Sequence, residues 1–226
     1  MRRTAIIAAM PGELAPLVRG WRREQRAGLV VWRQSEGERE WLATCAGAGQ
    51  QAATRALAAL EQVGRLHAVF SLGWVGALDA SYVPGNAYTV AGVVDAQTGE
   101  RFAAVDADAN SPWLVTSPIV ADAEEKQRLA SAYGAGLVDM EAAAVARLAA
   151  MRAIPFRAVK GVSDGFHDTL PDFNRFISPD GVFHIGRLIL FVLPRPWLWP
   201  ALIRMGENSK SASLRMAEMA LKLLRA

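Results

Sequence analysis

Short apolar, β-branched runs alternate with Ala- and Leu-rich stretches along most of the 226 residues, with no low-complexity linker or internal repeat between them. Such alternation places strands between helices, so one α/β domain spanning residues 1–226 is the simplest fold. The pattern predicts a buried first strand over Thr4–Ala9 and a helix from Pro11 to about Trp21, since proline is tolerated in a first helical turn. Leu29–Gln34 and Glu40–Cys45 read as a hairpin around the polar turn SEGER, and Gln50–Val63 as a helix opened by Gly47 and Gly49. His67–Leu72 reads as a strand running into a glycine loop, GWVGAL, at 73–78.

Further along, Asn86–Asp95 reads as one long strand, with shorter ones at Arg101–Val105 and Trp113–Ser117. Asp122 and Glu125 have capping-box spacing and start a helix to about Tyr133. Leu137 and Val138 make a very short strand, Met140–Arg152 a helix, Pro155–Gly161 a strand and Ser163–Ser178 a polar loop. Residues 182–226 are expected as a helical C-terminal extension whose buried face carries Leu214, Ala217, Leu221 and Leu224. The β content predicts a mixed, curved central sheet covered by helices, with ligands where strands end at glycines.

Composition removes several function classes. At 52% hydrophobic and 21% charged residues the chain is neither disordered nor fibrous, and its one cysteine, Cys45, cannot form an internal disulfide. The apolar stretch after Arg2 and Arg3 stops at Pro11, too early for a secretory segment, so a cytoplasmic location is expected. A net charge of +3 is mild. Arg19, Arg22, Arg23 and Arg26 form a basic cluster, but Glu24 dilutes it and no basic stripe continues it, so it reads as a solvated helix end rather than a nucleic-acid site. His67, His167 and His184 lack metal-ligand spacing, so no metal is expected. The apolar, Trp-rich run over 182–203 is broken by Pro194, Pro196, Pro200, Arg187 and Arg195 and cannot span a bilayer. Three roles stay open for it: a peripheral surface on the inner face of a membrane, the lining of an apolar pocket, or a core helix with a subunit contact.

Four local features carry chemistry. Glu13 lies just past the first strand, at the usual ligand edge of an α/β sheet, where a carboxylate also complements a helix dipole. The pairs Gly47/Gly49 and Gly73/Gly76 allow close backbone approach but are neither a dinucleotide fingerprint nor a phosphate-binding loop. Val138-Asp139-Met140-Glu141-Ala142 delivers two carboxylates and a thioether at a helix start, where they accept paired hydroxyls or cap the helix. In Val159-Lys160-Gly161-Val162-Ser163-Asp164, Asp164 stands where a strand breaks, as a candidate acid for a leaving group or as an Asx turn.

Taken together, IIAAMPGEL, CAGAGQQAATRAL, SLGWVGAL followed by YVPGNAYTV, VDMEAAAVA and PFRAVKGVSD resemble, in order and spacing, the nucleoside phosphorylase superfamily over about residues 4–170. They look most like its nucleosidase branch, which cleaves methylthioadenosine and adenosylhomocysteine. SPDG at 178–181 and the RPWLWPALIRMGENSKSA stretch resemble instead the hopanoid-associated phosphorylases, which act on adenosylhopane. The resemblance implies a single nucleoside phosphorylase-like domain that breaks the N-glycosidic bond of a purine nucleoside through an oxocarbenium-like sugar. It implies Asp164 as the acid toward N7, Glu13 as the residue orienting a nucleophilic water, Glu141 on the ribose hydroxyls and Met140 packed on the ribose. Asp139, Gly73, Trp74 and Ser163 fall with them among the substrate-contacting residues. No cofactor is implied; inorganic phosphate becomes a co-substrate only in a phosphorolytic alternative, which Trp74, standing where relatives carry a small hydroxyl, disfavours. A homo-oligomer is implied, and a nucleoside- or lipid-binding member without catalysis is the competing class.

Overall fold

The computed structural model describes residues 1–105, 107–108, 110–178 and 181–226. Among them, strands β1 (Arg2–Ala8), β2 (Arg22–Arg26), β3 (Leu29–Glu36), β4 (Arg39–Cys45), β5 (Ala68–Ala77), β6 (Ala87–Thr89), β7 (Gly92–Asp95), β8 (Arg101–Ala103), β9 (Trp113–Thr116), β10 (Leu137–Asp139) and β11 (Phe156–Asp164) form one mixed sheet. Its main path runs β2-β3-β4-β1-β5-β10-β9-β7-β8, with β11 on the other edge of β5 and β6 beyond it. The helices are α1 (Pro11–Leu14), α2 (Gln50–Glu61), α3 (Ala123–Tyr133), α4 (Ala142–Met151), α5 (Ile185–Val192) and α6 (Trp199–Arg225).

The alternation of β1 explains the layering. Ala5 and Ile7 face a core shared with α2 and α4, while Ile6 and Ala8 face a second core closed by α6 through Met216, Ala217, Ala220 and Leu224. A third cluster, with Leu78, Val115, Leu129 and Val138, seats α3. The fold is thus the expected mixed α/β arrangement with a curved sheet under helices.

The sheet is organised around β5, which pairs in parallel with β1 at Ala68–Ser71 and antiparallel with β10 at Gly76 and Ala77, while β11 follows its opposite edge from Val69 to Gly76. The segment 73–77, expected as a glycine loop, is therefore strand. Likewise Ser163 and Asp164, expected at the start of a loop, end β11, where a bulge at Ser163 shifts the register between Val162 and Asp164. Bulges re-aim side chains, and this one turns Asp164 toward the site.

Other elements differ for local reasons. The first helix stops after one turn, because Pro16 has no N–H to continue it and Gly20 adopts φ +82°. Arg22, Arg23 and Arg26 lie not on a helix end but on edge strand β2, whose charges discourage pairing with another sheet. The long strand over 86–95 divides at Val90 and Ala91 into β6, on β11, and β7, on β9. On α6 the buried face is set by Ala212, Ser213, Met216, Ala217, Ala220 and Leu224, with Leu214 half out in solvent. The small residues let α6 approach β11 at Gly161, where an added Cβ would stand 2.8 Å from the Ala212 Cβ.

Candidate active site

A cavity of about 1410 Å³ opens where β1, β5, β10 and β11 end, with Glu13, Glu141 and Asp164 on its wall. The fold brings these three expected carboxylates together from 13, 141 and 164 in the sequence.

Glu13 is buried and held at three points. Its Oε2 accepts the Ala9 and Met10 backbone N–H at 2.8 and 2.7 Å, and its Oε1 accepts the Trp74 N–H at 2.8 Å. Burial nonetheless raises its pKa, against the pull of these N–H groups and of Lys160. Gly73 is required for this approach: a Cβ there would lie 3.1 Å from Glu13 Oε1. Trp74 fixes Glu13 through its backbone while its indole Nε1 donates to Ser209 O and Ser213 Oγ, tying β5 to α6. The indole also lines the cavity.

Glu141 sits ahead of α4 and accepts the Gly49 N–H at 2.8 Å, at the positive end of α2. Enclosure in the protein and the nearby charges of Asp139 and Glu13 push its pKa up to about 8, with Lys160 opposing. Met140 lines the cavity beside it.

Asp139 does not reach outward. Its fully buried side chain accepts Thr116 Oγ1 at 2.7 Å, the Ala142 N–H at 3.1 Å and Lys160 Nζ at 2.7 Å, so it starts α4 and holds Lys160, which also donates to Ser71 Oγ. Asp139 also belongs to the cavity lining, and three of its carboxylate's four acceptor directions go to this supporting role.

Asp164 is nearly buried. Its Oδ1 accepts the Ser163 hydroxyl at 2.6 Å and its Oδ2 faces Lys126 Nζ at 2.5 Å; the same ammonium donates to Gly165 O at 2.7 Å. Ser163 thus orients this carboxylate. Gly76 gives this pair room, since a Cβ there would meet Asp164 Oδ2 and Lys126 Cε at 3.1 Å each. Lys126 is the functional candidate that sequence reasoning missed. On a Glu-rich helix a lysine reads as solvated, and the only signal was its i, i+3 spacing to Leu129, the other buried residue of α3. Over the cavity, Asn174 pairs its amide with both the N–H and the C=O of Val120, pinning residue 120 to the turn at 173–176.

The far wall is apolar, built by Ile185, Leu188, Ile189 and Val192 of α5 with Trp199 and Leu202 of α6. Of Phe191, Trp197, Leu198 and Trp199, the large apolar side chains in the middle of the 182–203 run, only Trp199 lines this wall; Phe191 packs on Phe176 and Arg195, and Trp197 is 71% exposed. Pro179 and Asp180 of the SPDG stretch lie outside the described residues.

Residues 112–179, which include Asp139–Glu141 and Ser163–Asp164, match the family model of the Phosphorylase superfamily. No curated protein sequence matches the chain. Among solved structures, the chain is similar to futalosine hydrolase of Helicobacter pylori strain 26695 at 14% identity, covering 99% of this chain and 97% of that one with a TM-score of 0.74. It is similar to the H. pylori 5'-methylthioadenosine/S-adenosylhomocysteine nucleosidase with butyl-thio-DADMe-Immucillin-A at 14% identity, 100% and 98% coverage and TM-score 0.74. It is also similar to the Arabidopsis thaliana 5'-methylthioadenosine nucleosidase at 18% identity, 100% and 95% coverage and TM-score 0.75. At these identities the likeness establishes a shared fold.

Proposed function

We propose that this protein hydrolyses the N-glycosidic bond of a purine nucleoside that carries an apolar 5' substituent. The observation that carries the reading is the convergence of Glu13, Glu141 and Asp164 on one cavity, each held by its own set of donors. In this reading the ribose hydroxyls donate to Glu141, which favours its ionised form, and that charge stabilises the cationic sugar of the transition state. Asp164, oriented by Ser163, delivers to N7 the proton available at its contact with Lys126, so the base leaves with the bonding electrons. Glu13 accepts a proton from water as the water oxygen bonds to the anomeric carbon.

One observation favours water over phosphate. The backbone N–H groups of Ala9, Met10 and Trp74, the natural anion donors at this edge, are all occupied by the Glu13 carboxylate. A phosphate dianion would face that carboxylate rather than free donors. The apolar wall and the cavity volume support a substituent much larger than methylthio, of the kind found in a lipid-tailed nucleoside such as adenosylhopane.

The test is to incubate the protein with methylthioadenosine, adenosylhomocysteine, inosine and adenosylhopane, with and without phosphate, and to identify the sugar product. Free base and free sugar without phosphate are expected, with adenosylhopane preferred. Strict phosphate dependence with a sugar 1-phosphate product would replace hydrolysis by phosphorolysis, and absence of base release from every nucleoside would leave a binding protein.

A further inference from the structure

We propose that residues 182–206 dock this protein on an anionic membrane surface. The inference stands on the surface itself and goes beyond bond cleavage. Helix α5, with the sequence IGRLILFV, has no buried residue, and neither has the 3-10 turn Pro196–Leu198. Leu190, Trp197 and Ile203, outside the cavity lining, are between 60% and 73% exposed, and Ile185 and Leu193, which also line the cavity, are 63% exposed each. Scattered apolar residues are ordinary on a surface, but a contiguous set on one short segment marks a contact.

Charge selects the occupant. From 181 to 206 the sequence has no Asp or Glu, while Arg187, Arg195 and Arg204 interleave with the apolar side chains. A second copy related by a two-fold axis would set this acid-free patch against itself and bring like charges together. An anionic lipid surface accepts both components, the arginines at the phosphates and the tryptophans at headgroup level. Geometry selects the mode. Among the described residues no single helix is long and apolar enough to cross a membrane. Helix α5 and the stretch from Pro196, which together have the length and composition of a span, are bent by 115° across Pro194 and Pro196, a shape that suits lying along an interface. The other side of α5, through Leu188 and Val192, lines the cavity. A substrate with an apolar tail would then enter from the bilayer with its tail still shielded.

The test is co-sedimentation of the full chain with phosphatidylcholine vesicles and with vesicles in which part of the phosphatidylcholine is replaced by phosphatidylglycerol. Two double variants accompany it, Leu190→Ser with Trp197→Ser, and Arg187→Glu with Arg204→Glu; none of these four residues lines the cavity. Wild-type protein is expected to pellet with the anionic vesicles. The apolar variant should lose roughly tenfold or more in the bound-to-free ratio, and the charge variant about as much on anionic vesicles, both with unchanged melting temperature. The proposal is overturned if wild type stays in the supernatant with both vesicles. It is overturned equally if the protein is a dimer that the Leu190/Trp197 variant dissociates, since the patch is then a subunit interface. Binding is read without turnover, so failure here leaves the catalytic reading to its own test.

Discussion

At the scale of single residues, the Lys126–Asp164 pair changes what the simplest acid knockout reports. Asp164→Asn should lower turnover roughly a hundredfold or more, as for other general acids. It also leaves the buried Lys126 ammonium without its carboxylate, so this variant should lose stability by about 3 kcal/mol. Combining it with Lys126→Met should restore most of the melting temperature and none of the activity. A single Asn variant that melts like wild type and turns over normally would remove Asp164 from the mechanism. Glu141 gives a signature in pH. Its carboxyl keeps a proton up to about pH 8 in the folded chain, against 4.5 for an ordinary glutamate. A raised pKa contributes stability fully below 4.5 and loses it as pH climbs toward 8. Glu141→Gln, which retains an acceptor for the Gly49 N–H, should therefore melt several degrees above wild type at pH 8 and lose that advantage near pH 4, while cleavage is abolished. Thermal melts across pH decide it; a pH-independent difference in melting temperature would contradict the assignment.

At the scale of elements, β5 is the strand against which both Glu13 and Asp164 pack. One glycine admits Glu13 and another admits Asp164 with Lys126, on a strand that β11 borders along most of its length. Gly76→Ala would press a methyl against Asp164 Oδ2, Lys126 Cε and Val138 Cγ1, and should cost about 1–3 kcal/mol with a marked fall in turnover. Trp74→Phe makes a contrasting test. It removes the indole bonds to Ser209 and Ser213 but keeps the backbone bond to Glu13. Stability should drop by about 1 kcal/mol in denaturant titration, with turnover per folded molecule little changed. Loss of activity without loss of stability would mean that the indole, not the backbone, serves the site.

At the scale of the whole molecule, the strand ends of the sheet and the apolar wall of α5 and α6 together bound the cavity, and the proposed preference for a large apolar substituent rests on that wall. Leu188→Asp, on the cavity wall, should reduce kcat/KM for adenosylhopane at least tenfold while sparing methylthioadenosine, read from adenine release. Local chemistry in the sequence was enough to determine the α/β alternation, the 29–45 hairpin, α2, the Asp122 cap of α3, and Glu13, Glu141 and Asp164 as candidates, because propensity, capping and short motifs act within a few residues. Tertiary structure alone decided that 73–77 is strand, since glycines that look like a loop are the close-approach positions of a strand bordered by β1, β10 and β11. It alone turned Lys126 inward to Asp164 and Asp139 inward to Lys160, 38 and 21 residues away from their partners. A buried charge is tolerated only where the fold supplies its counter-charge, and that meeting is invisible until distant strands and helices are brought side by side.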